Sequence, residues 1–183
     1  MKALKLVATL LSTLVLAAVG TTSATATEHT TLVSGFEMYA TSTQGNFAGT
    51  ASPGATNGLS GAWSIVVYHT LLGADRCGDP PYPCAQVTGG SFTLAVTSPT
   101  AELVTGNFDY QAPHTPGIVQ SPPYTSCGTQ LFHITDTLNS VGTGSQHSGT
   151  GNFDAYLWHY RTWIFGRCVT YAATVKGTVL LSF

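Results

Sequence analysis

Residues 169–183 alternate in character with a period of two. One face of this run carries Val169, Tyr171, Ala173, Val175, Gly177, Val179, Leu181 and Phe183, and the other is mostly small or polar. Successive side chains of a β-strand point to opposite faces, whereas a helix would need a period near 3.6. A strand this long outgrows a small flat sheet but fits the wall of a closed one. The run therefore predicts a β-barrel, with a β-sandwich as the alternative.

The same alternation recurs along the chain, and no segment sustains a helical period. It is clearest at residues 63–71, 92–96 and 131–136, and glycine or proline clusters such as SPGATNG at 52–58 separate the runs. Such punctuation is typical of antiparallel strands joined by turns. The segment Pro113–Pro123, with four prolines, predicts an extended loop rather than a strand. We expect an all-β, antiparallel fold.

The N-terminal residues have the pattern of a secretory signal peptide. Lys2 and Lys5 precede an apolar run at 6–20, and the small residues Ala24-Thr25-Ala26 follow. We expect residues 1–26 to be removed and residues 27–183 to form a single all-β domain. The localisation predicted from this pattern is secreted, either extracellular or periplasmic.

Four cysteines in an exported chain favour two disulfides. Three pairings are possible, and the sequence does not choose among them. We favour Cys77–Cys84, which would close the proline-rich loop CGDPPYPC, together with Cys127–Cys168. A zinc site would need paired short spacings, and only one short cysteine spacing is present.

Charge excludes several partners. Beyond residue 26 the cations are Arg76, Arg161, Arg167 and Lys176, against eight acidic residues, and they form no basic cluster in the sequence. Nucleic acid and anionic lipid both need concentrated Lys or Arg, so we expect no nucleic-acid partner and regard anionic lipid as a poor candidate. The apolar run at 6–20 is short for a membrane span and no later stretch is apolar for long enough, so we expect no membrane insertion. A small outer-membrane barrel is a rival that the alternation and Phe183 permit, although the cysteines and the scarce lumen charge argue against it.

The turn after Trp163 decides which way residues 153–163 face. A two-residue loop of Phe165-Gly166 fits the favoured hairpin turns poorly, so we predict a three-residue loop, Ile164-Phe165-Gly166. That register would point Phe153, Ala155, Leu157, His159 and Arg161 inward. His159 would stand opposite Tyr171, and Arg161 opposite Val169. A shift of one residue would exchange the faces.

This orientation suggests two functions. Tyr156, Trp158 and Tyr160 would form an outward aromatic stripe, suited to non-catalytic binding of a neutral ligand such as a carbohydrate or a small aromatic molecule. The alternative is a small barrel enzyme, an isomerase, cyclase or hydrolase, with His159, Arg161 and Tyr171 as an internal polar cluster. A purely structural role is the third interpretation, with Arg161 meeting Asp136 or Glu102 and the aromatic residues simply packing.

Other catalytic signals are weak. The sequence contains no nucleophile elbow, phosphate loop or zinc-protease helix, and it indicates no cofactor and no metal. His69, His133 and His159 lie on three predicted strands but lack ligand spacing. Glu37 and Glu102 could form a glycoside-hydrolase pair only if the fold brings them together. The sequence therefore favours a small-molecule or glycan binder over an enzyme.

Overall fold

The computed structural model describes residues 25–72, 77, 83–113, 115–122 and 127–183. The predicted signal peptide lies almost wholly outside these residues. Nine strands occupy the described chain: β1 (Glu28–Ala40), β2 (Gln44–Pro53), β3 (Ser60–Leu71), β4 (Cys84–Ser98), β5 (Glu102–Phe108), β6 (Ile118–Ser121), β7 (Gln130–Thr143), β8 (Gln146–Ile164) and β9 (Arg167–Ser182). Within the same residues, no helix has the length and apolar character needed to cross a membrane.

The sheet closes on itself. The strands are paired in the order β3-β2-β1-β9-β8-β7-β5-β4, and β3 also pairs with β4, so the eight strands form a closed antiparallel barrel. The prediction of an all-β antiparallel barrel is confirmed, and the alternative sandwich is wrong. We use "upper end" for the end that carries the β1–β2 hairpin and the β8–β9 turn, and "lower end" for the opposite one.

Alternation explains the barrel core. On β3, Trp63, Ile65 and Val67 are buried, whereas Tyr68 between Val67 and His69 is exposed. Inward residues of the other strands complete a single apolar cluster, which includes Phe47, Phe92, Leu94, Val104, Ile134, Leu138, Phe153, Val175 and Val179. Each such side chain contributes about 1.5–3 kcal/mol on burial. The period-two pattern in the sequence is thus the pattern of this interior.

The β8–β9 turn differs from the prediction. Phe165 and Gly166 both have positive φ, 48° and 74°, and Ile164 pairs with Arg167, so the loop has two residues. The predicted three-residue loop is wrong. The register then shifts at Tyr171, which has no partner between the pairs Arg161–Thr170 and Tyr160–Ala172. This β-bulge adds one residue to β9. Between the bulge and the lower end, each β9 residue therefore points to the opposite face from the one that an unbulged strand would give it.

The bulge restores the predicted orientation of β8. His159 pairs with Ala173, two residues from the predicted partner Tyr171, and a shift of two preserves the face. Phe153, Ala155 and Leu157 are accordingly buried. The outward orientation predicted for the aromatic residues of β8 is correct. The predicted partners of His159 and Arg161 are wrong, because the bulge leaves Tyr171 66% exposed.

One wall of the barrel is interrupted. β5 and β6 lie in line between β4 and β7, and the described residues 109–113 and 115–117 leave the wall between them. The prediction that Pro113–Pro123 contains no strand is wrong. Ile118–Ser121 includes no proline, so its N–H groups are free to pair with the neighbouring strands.

The Gln111 side chain fills the interruption. Its Oε1 accepts a hydrogen bond from the Val87 N–H at 3.1 Å, and its Nε2 donates to the Thr135 carbonyl at 3.0 Å. These contacts join β4 to β7, as a backbone peptide group of the missing strand segment would. Nε2 also lies 3.2 Å from Oδ1 of Asp136, and burial raises the pKa of that carboxyl to about 6. A side-chain amide therefore replaces a strand in the ladder.

Both predicted disulfides are present. Cys77 is bonded to Cys84 at the start of β4, and Cys127 to Cys168 near the β8–β9 turn. The four cysteines therefore brace the upper end of the barrel. Disulfides of this kind are typical of proteins in an oxidising, extracellular-type environment.

Candidate functional site

The upper end of the barrel contains a cavity of about 190 Å³. Most of its wall is apolar, and it includes Phe47, Val67, Ala85, Ile118, Phe132, Ile134 and Leu157. Three ionisable side chains also line it: Glu37 from β1, His69 from β3 and His159 from β8. An apolar cavity with a few converging polar groups has the composition of a small-molecule site.

Small inward residues create this space. A Cβ added to Gly45 would lie 2.7 Å from the Phe47 ring and 3.4 Å from Oε1 of Glu37. Ala173 on β9 pairs with His159, and the β1–β9 register brings Glu37 to the other side of Ala173. Because the alanine side chain is short, Glu37 and His159 can meet above it.

Glu37 and His159 are in contact. Oε2 of Glu37 lies 2.8 Å from Nε2 of His159, and the two side chains are only 9% and 20% exposed. The contact is close in distance, although Nε2 makes no aligned hydrogen bond within the described chain. The Phe132 ring lies 5.1 Å from the imidazole and covers one side of it. This pair can share or move a proton in a largely dry environment.

His69 completes the polar set. Its Nδ1 is buried and has no hydrogen-bond partner among the described residues. Burial lowers the pKa of His69, and the nearby Glu37 carboxylate offsets only part of that effect. The imidazole is therefore neutral at pH 7, with one ring nitrogen able to donate and the other to accept. A buried polar atom without a partner costs free energy unless something else occupies the site.

The predicted catalytic cluster is only partly assembled. His159 lies in the cavity as expected, and Arg161 is half-buried on the same face of β8, nearer the rim. Tyr171 points away because of the bulge, so His159, Arg161 and Tyr171 do not form one site. Arg161 makes no ion pair among the described residues, and therefore the predicted structural pairing with Asp136 or Glu102 is wrong.

The outer aromatic stripe has its predicted members but not a flat surface. Tyr156 is exposed, and Trp158 and Tyr160 are half-buried. The rings of Tyr156 and Trp158 are 6.2 Å apart and inclined by 40°. A shallow groove runs beside the stripe, lined by Trp158 and Tyr160 and by Ser34, Phe36, Thr50, Thr174 and Lys176.

Two other candidate sites from the sequence do not form. His133 points outward, where it contacts Asp154 at 2.8 Å and stacks on Tyr156, so it cannot join His69 and His159. In the part of the chain that the structure describes, no group of three His, Cys, Asp or Glu side chains is placed to hold a metal ion. Glu102 begins β5 at the lower end, far from Glu37, and the proposed glycosidase pair is therefore not assembled.

Sequence reasoning named His159, Glu37 and His69, but not together in one candidate site. Glu37 follows Val33 and Gly35 at alternate positions of β1, and His69 follows Trp63, Ile65 and Val67 on β3. Both residues therefore extend an inward face, which is the signal that they share the interior with His159. Glu37 reaches His159 only because β1 pairs with β9, and these strands are far apart in the sequence. No short sequence pattern predicts that pairing.

The chain matches no protein-family model, no curated protein sequence and no solved structure. Function is therefore derived from the site alone.

Proposed function

We propose that the protein binds a small, neutral and largely apolar ligand inside the cavity at the upper end of the barrel. The observation that carries this proposal is the buried, unpartnered Nδ1 of His69 in an otherwise apolar cavity. A ligand hydroxyl could accept from or donate to that atom, and a ligand carbonyl could accept from its N–H form. The ligand classes with this character include small aromatic molecules.

Size and charge narrow the ligand further. An apolar cavity of about 150 Å³ accommodates benzene, so about 190 Å³ suits one substituted ring. Among the described residues, the cavity wall carries the Glu37 carboxylate and no arginine or lysine. An anionic ligand would therefore meet a like charge without a compensating cation, which favours a neutral one.

We also propose that the protein is secreted. The two disulfides support an oxidising compartment. The leader pattern of residues 1–26 also supports export, to the periplasm or to the medium.

Phenol, toluene and benzoate are suitable probes of the cavity. We expect phenol to bind about fivefold more tightly than toluene, because one hydrogen bond contributes about 1 kcal/mol, and benzoate to bind most weakly. The His69→Leu variant should lose the preference for phenol over toluene. Titration calorimetry, supported by the ligand-dependent increase in Tm, measures each affinity.

Two controls locate the binding. Tyr68→Phe changes the neighbouring outward residue of β3 and should leave the phenol affinity unchanged. Trp158→Ala alters the outer stripe and should do the same. If Trp158→Ala abolishes phenol binding while His69→Leu has no effect, the ligand occupies the stripe and the cavity proposal fails. The stripe would then be the better site for a neutral sugar or aromatic ring.

The contact between Glu37 and His159 favours a second candidate function, proton transfer on a neutral carbonyl compound. Glu37 would take a proton from the carbon beside the carbonyl, and neutral His69 would donate a hydrogen bond to the developing enolate oxygen. With a β,γ-unsaturated ketone, returning the proton to the γ-carbon would move the double bond to the α,β position and complete an isomerisation, with no net oxidation. His159 would hold the carboxylate in place.

Deuterium incorporation tests this chemistry. In D₂O, the protein should accelerate exchange at the α-carbons of cyclohexanone, followed by NMR. The Glu37→Gln variant should lose at least about 100-fold of that acceleration, the usual contribution of a general base, while still binding phenol. Equal exchange rates with and without the wild-type protein would rule out the proton-transfer function, and ligand binding would remain as the proposed function.

A further inference from the structure

The β8–β9 hairpin projects beyond the barrel rim. Its last pair with β7 joins Gln130 to His159, and its last pair with β1 joins Phe36 to Thr174. Residues 160–173 therefore form a two-stranded projection, with Phe165 about 20 Å beyond His159 at the usual rise per residue. The Cys127–Cys168 disulfide fixes one strand of the projection.

The tip of this projection is apolar and exposed. Trp163 and Ile164 are exposed, and Phe165 is fully exposed. Phe165 has φ of 48°, a left-handed conformation that favours Gly, Asn or Asp in a two-residue hairpin turn. A phenylalanine at this position makes the turn less stable than Gly, Asn or Asp would, and its exposed side chain packs against nothing within the protein. Such strain is typical of positions kept for an external contact.

Positive charge lies directly behind the tip. Of the six Lys and Arg residues, Arg161, Arg167 and Lys176 are on β8 and β9, and residues 155–183 contain no acidic side chain. Arg161 and Arg167 lie on opposite faces of the projection, within four residues of Phe165. The sequence as a whole has no basic cluster, but two arginines adjoin the tip, whereas Lys176 lies lower in the barrel wall, opposite Tyr156.

We propose that the hairpin tip docks on a lipid surface bearing anionic headgroups. Trp163 and Ile164 belong to opposite faces of the hairpin and Phe165 caps it, so the three side chains point in different directions. A protein groove would have to match three divergent side chains, whereas the headgroup boundary of a bilayer requires no shape complementarity. Arg161 and Arg167 lie where they would meet phosphate groups, and aromatic residues favour that depth.

The docking surface is continuous with the cavity. Trp163, Arg161 and His159 occupy alternate positions on the inward face of β8, so one face leads from the tip to the cavity wall. A docked protein would hold the upper end of the barrel against the lipid. An apolar molecule dissolved in the bilayer would then have a short route to the cavity.

Vesicle co-sedimentation tests the docking. We expect the full protein to bind vesicles of phosphatidylcholine with phosphatidylglycerol at low salt, and phosphatidylcholine alone more weakly. The Phe165→Asn variant should lower the partition coefficient at least about tenfold, because it removes the largest inserted apolar side chain. Asparagine suits the turn, so this variant should fold as stably as the wild type.

Two further variants test the contribution of positive charge and the specificity for the tip. Arg167→Gln should lower binding to the anionic vesicles about fivefold and leave binding to neutral vesicles unchanged. Leu103→Asn removes an exposed apolar side chain at the lower end and should have no effect. Absence of wild-type binding to both vesicles, or equal losses from Phe165→Asn and Leu103→Asn, would overturn the proposal. A dimer that Phe165→Asn dissociates, without vesicle binding, would show that the tip contacts protein instead.

Discussion

The Gln111→Ala variant is expected to lose about 3–5 kcal/mol of its free energy of unfolding. The substitution leaves the Val87 N–H and the Thr135 carbonyl without their partner, in a wall that has no strand at that point. Each unsatisfied buried group costs about 1–3 kcal/mol. Urea unfolding followed by circular dichroism measures the loss. Gln146→Ala, at the exposed first residue of β8, should change stability by less than about 0.5 kcal/mol.

The Gln111→Glu variant distinguishes the hydrogen bonds from packing. One carboxylate oxygen can still accept from Val87, but the other would face the Thr135 carbonyl and Asp136. The new carboxyl should have a folded-state pKa above its unfolded value, so its contribution is present at low pH and lost as the pH rises through the folded pKa. We expect the stability gap from wild type to narrow on acidification. A gap that is independent of pH would mean that the amide only fills space.

Removing the Cys127–Cys168 disulfide is the second large effect. The double variant Cys127→Ala/Cys168→Ala should lose about 4 kcal/mol, because the bond closes a loop with a sequence separation of 41. Cys77→Ala/Cys84→Ala opens a loop with a separation of only 7 and should lose about 2.5 kcal/mol. Denaturation under non-reducing conditions compares the two. A larger loss for the shorter loop would show that native packing, rather than unfolded-chain entropy, determines the effect.

Much of the fold could be predicted from local patterns. Alternation placed Trp63, Ile65 and Val67 inward because the period of a strand is two. Prolines between Cys77 and Cys84 indicated a closed loop, and the pairing of the other two cysteines followed. These features depend on residues that are near one another in the chain or on simple elimination.

The rest depends on non-local contacts. Gln111 lies beside a proline-rich segment, and nothing in its neighbourhood indicates that its amide pairs with β4 and β7. The meeting of Glu37 and His159 needs the register of three strands. The β8–β9 turn was wrongly predicted because the local preference for Asn-Gly was applied to a turn that holds Phe165 in a left-handed conformation.

The bulge at Tyr171 has an evolutionary consequence. Tyr171 is the extra residue between two pairs that would be consecutive in a regular ladder, Arg161 with Thr170 and Tyr160 with Ala172. A deletion at Tyr171 would therefore leave both pairs, and the lining of the cavity, in place. An insertion between Ile164 and Arg167 would likewise lengthen only the turn. The tip can therefore change in length and sequence without disturbing the chamber beneath it.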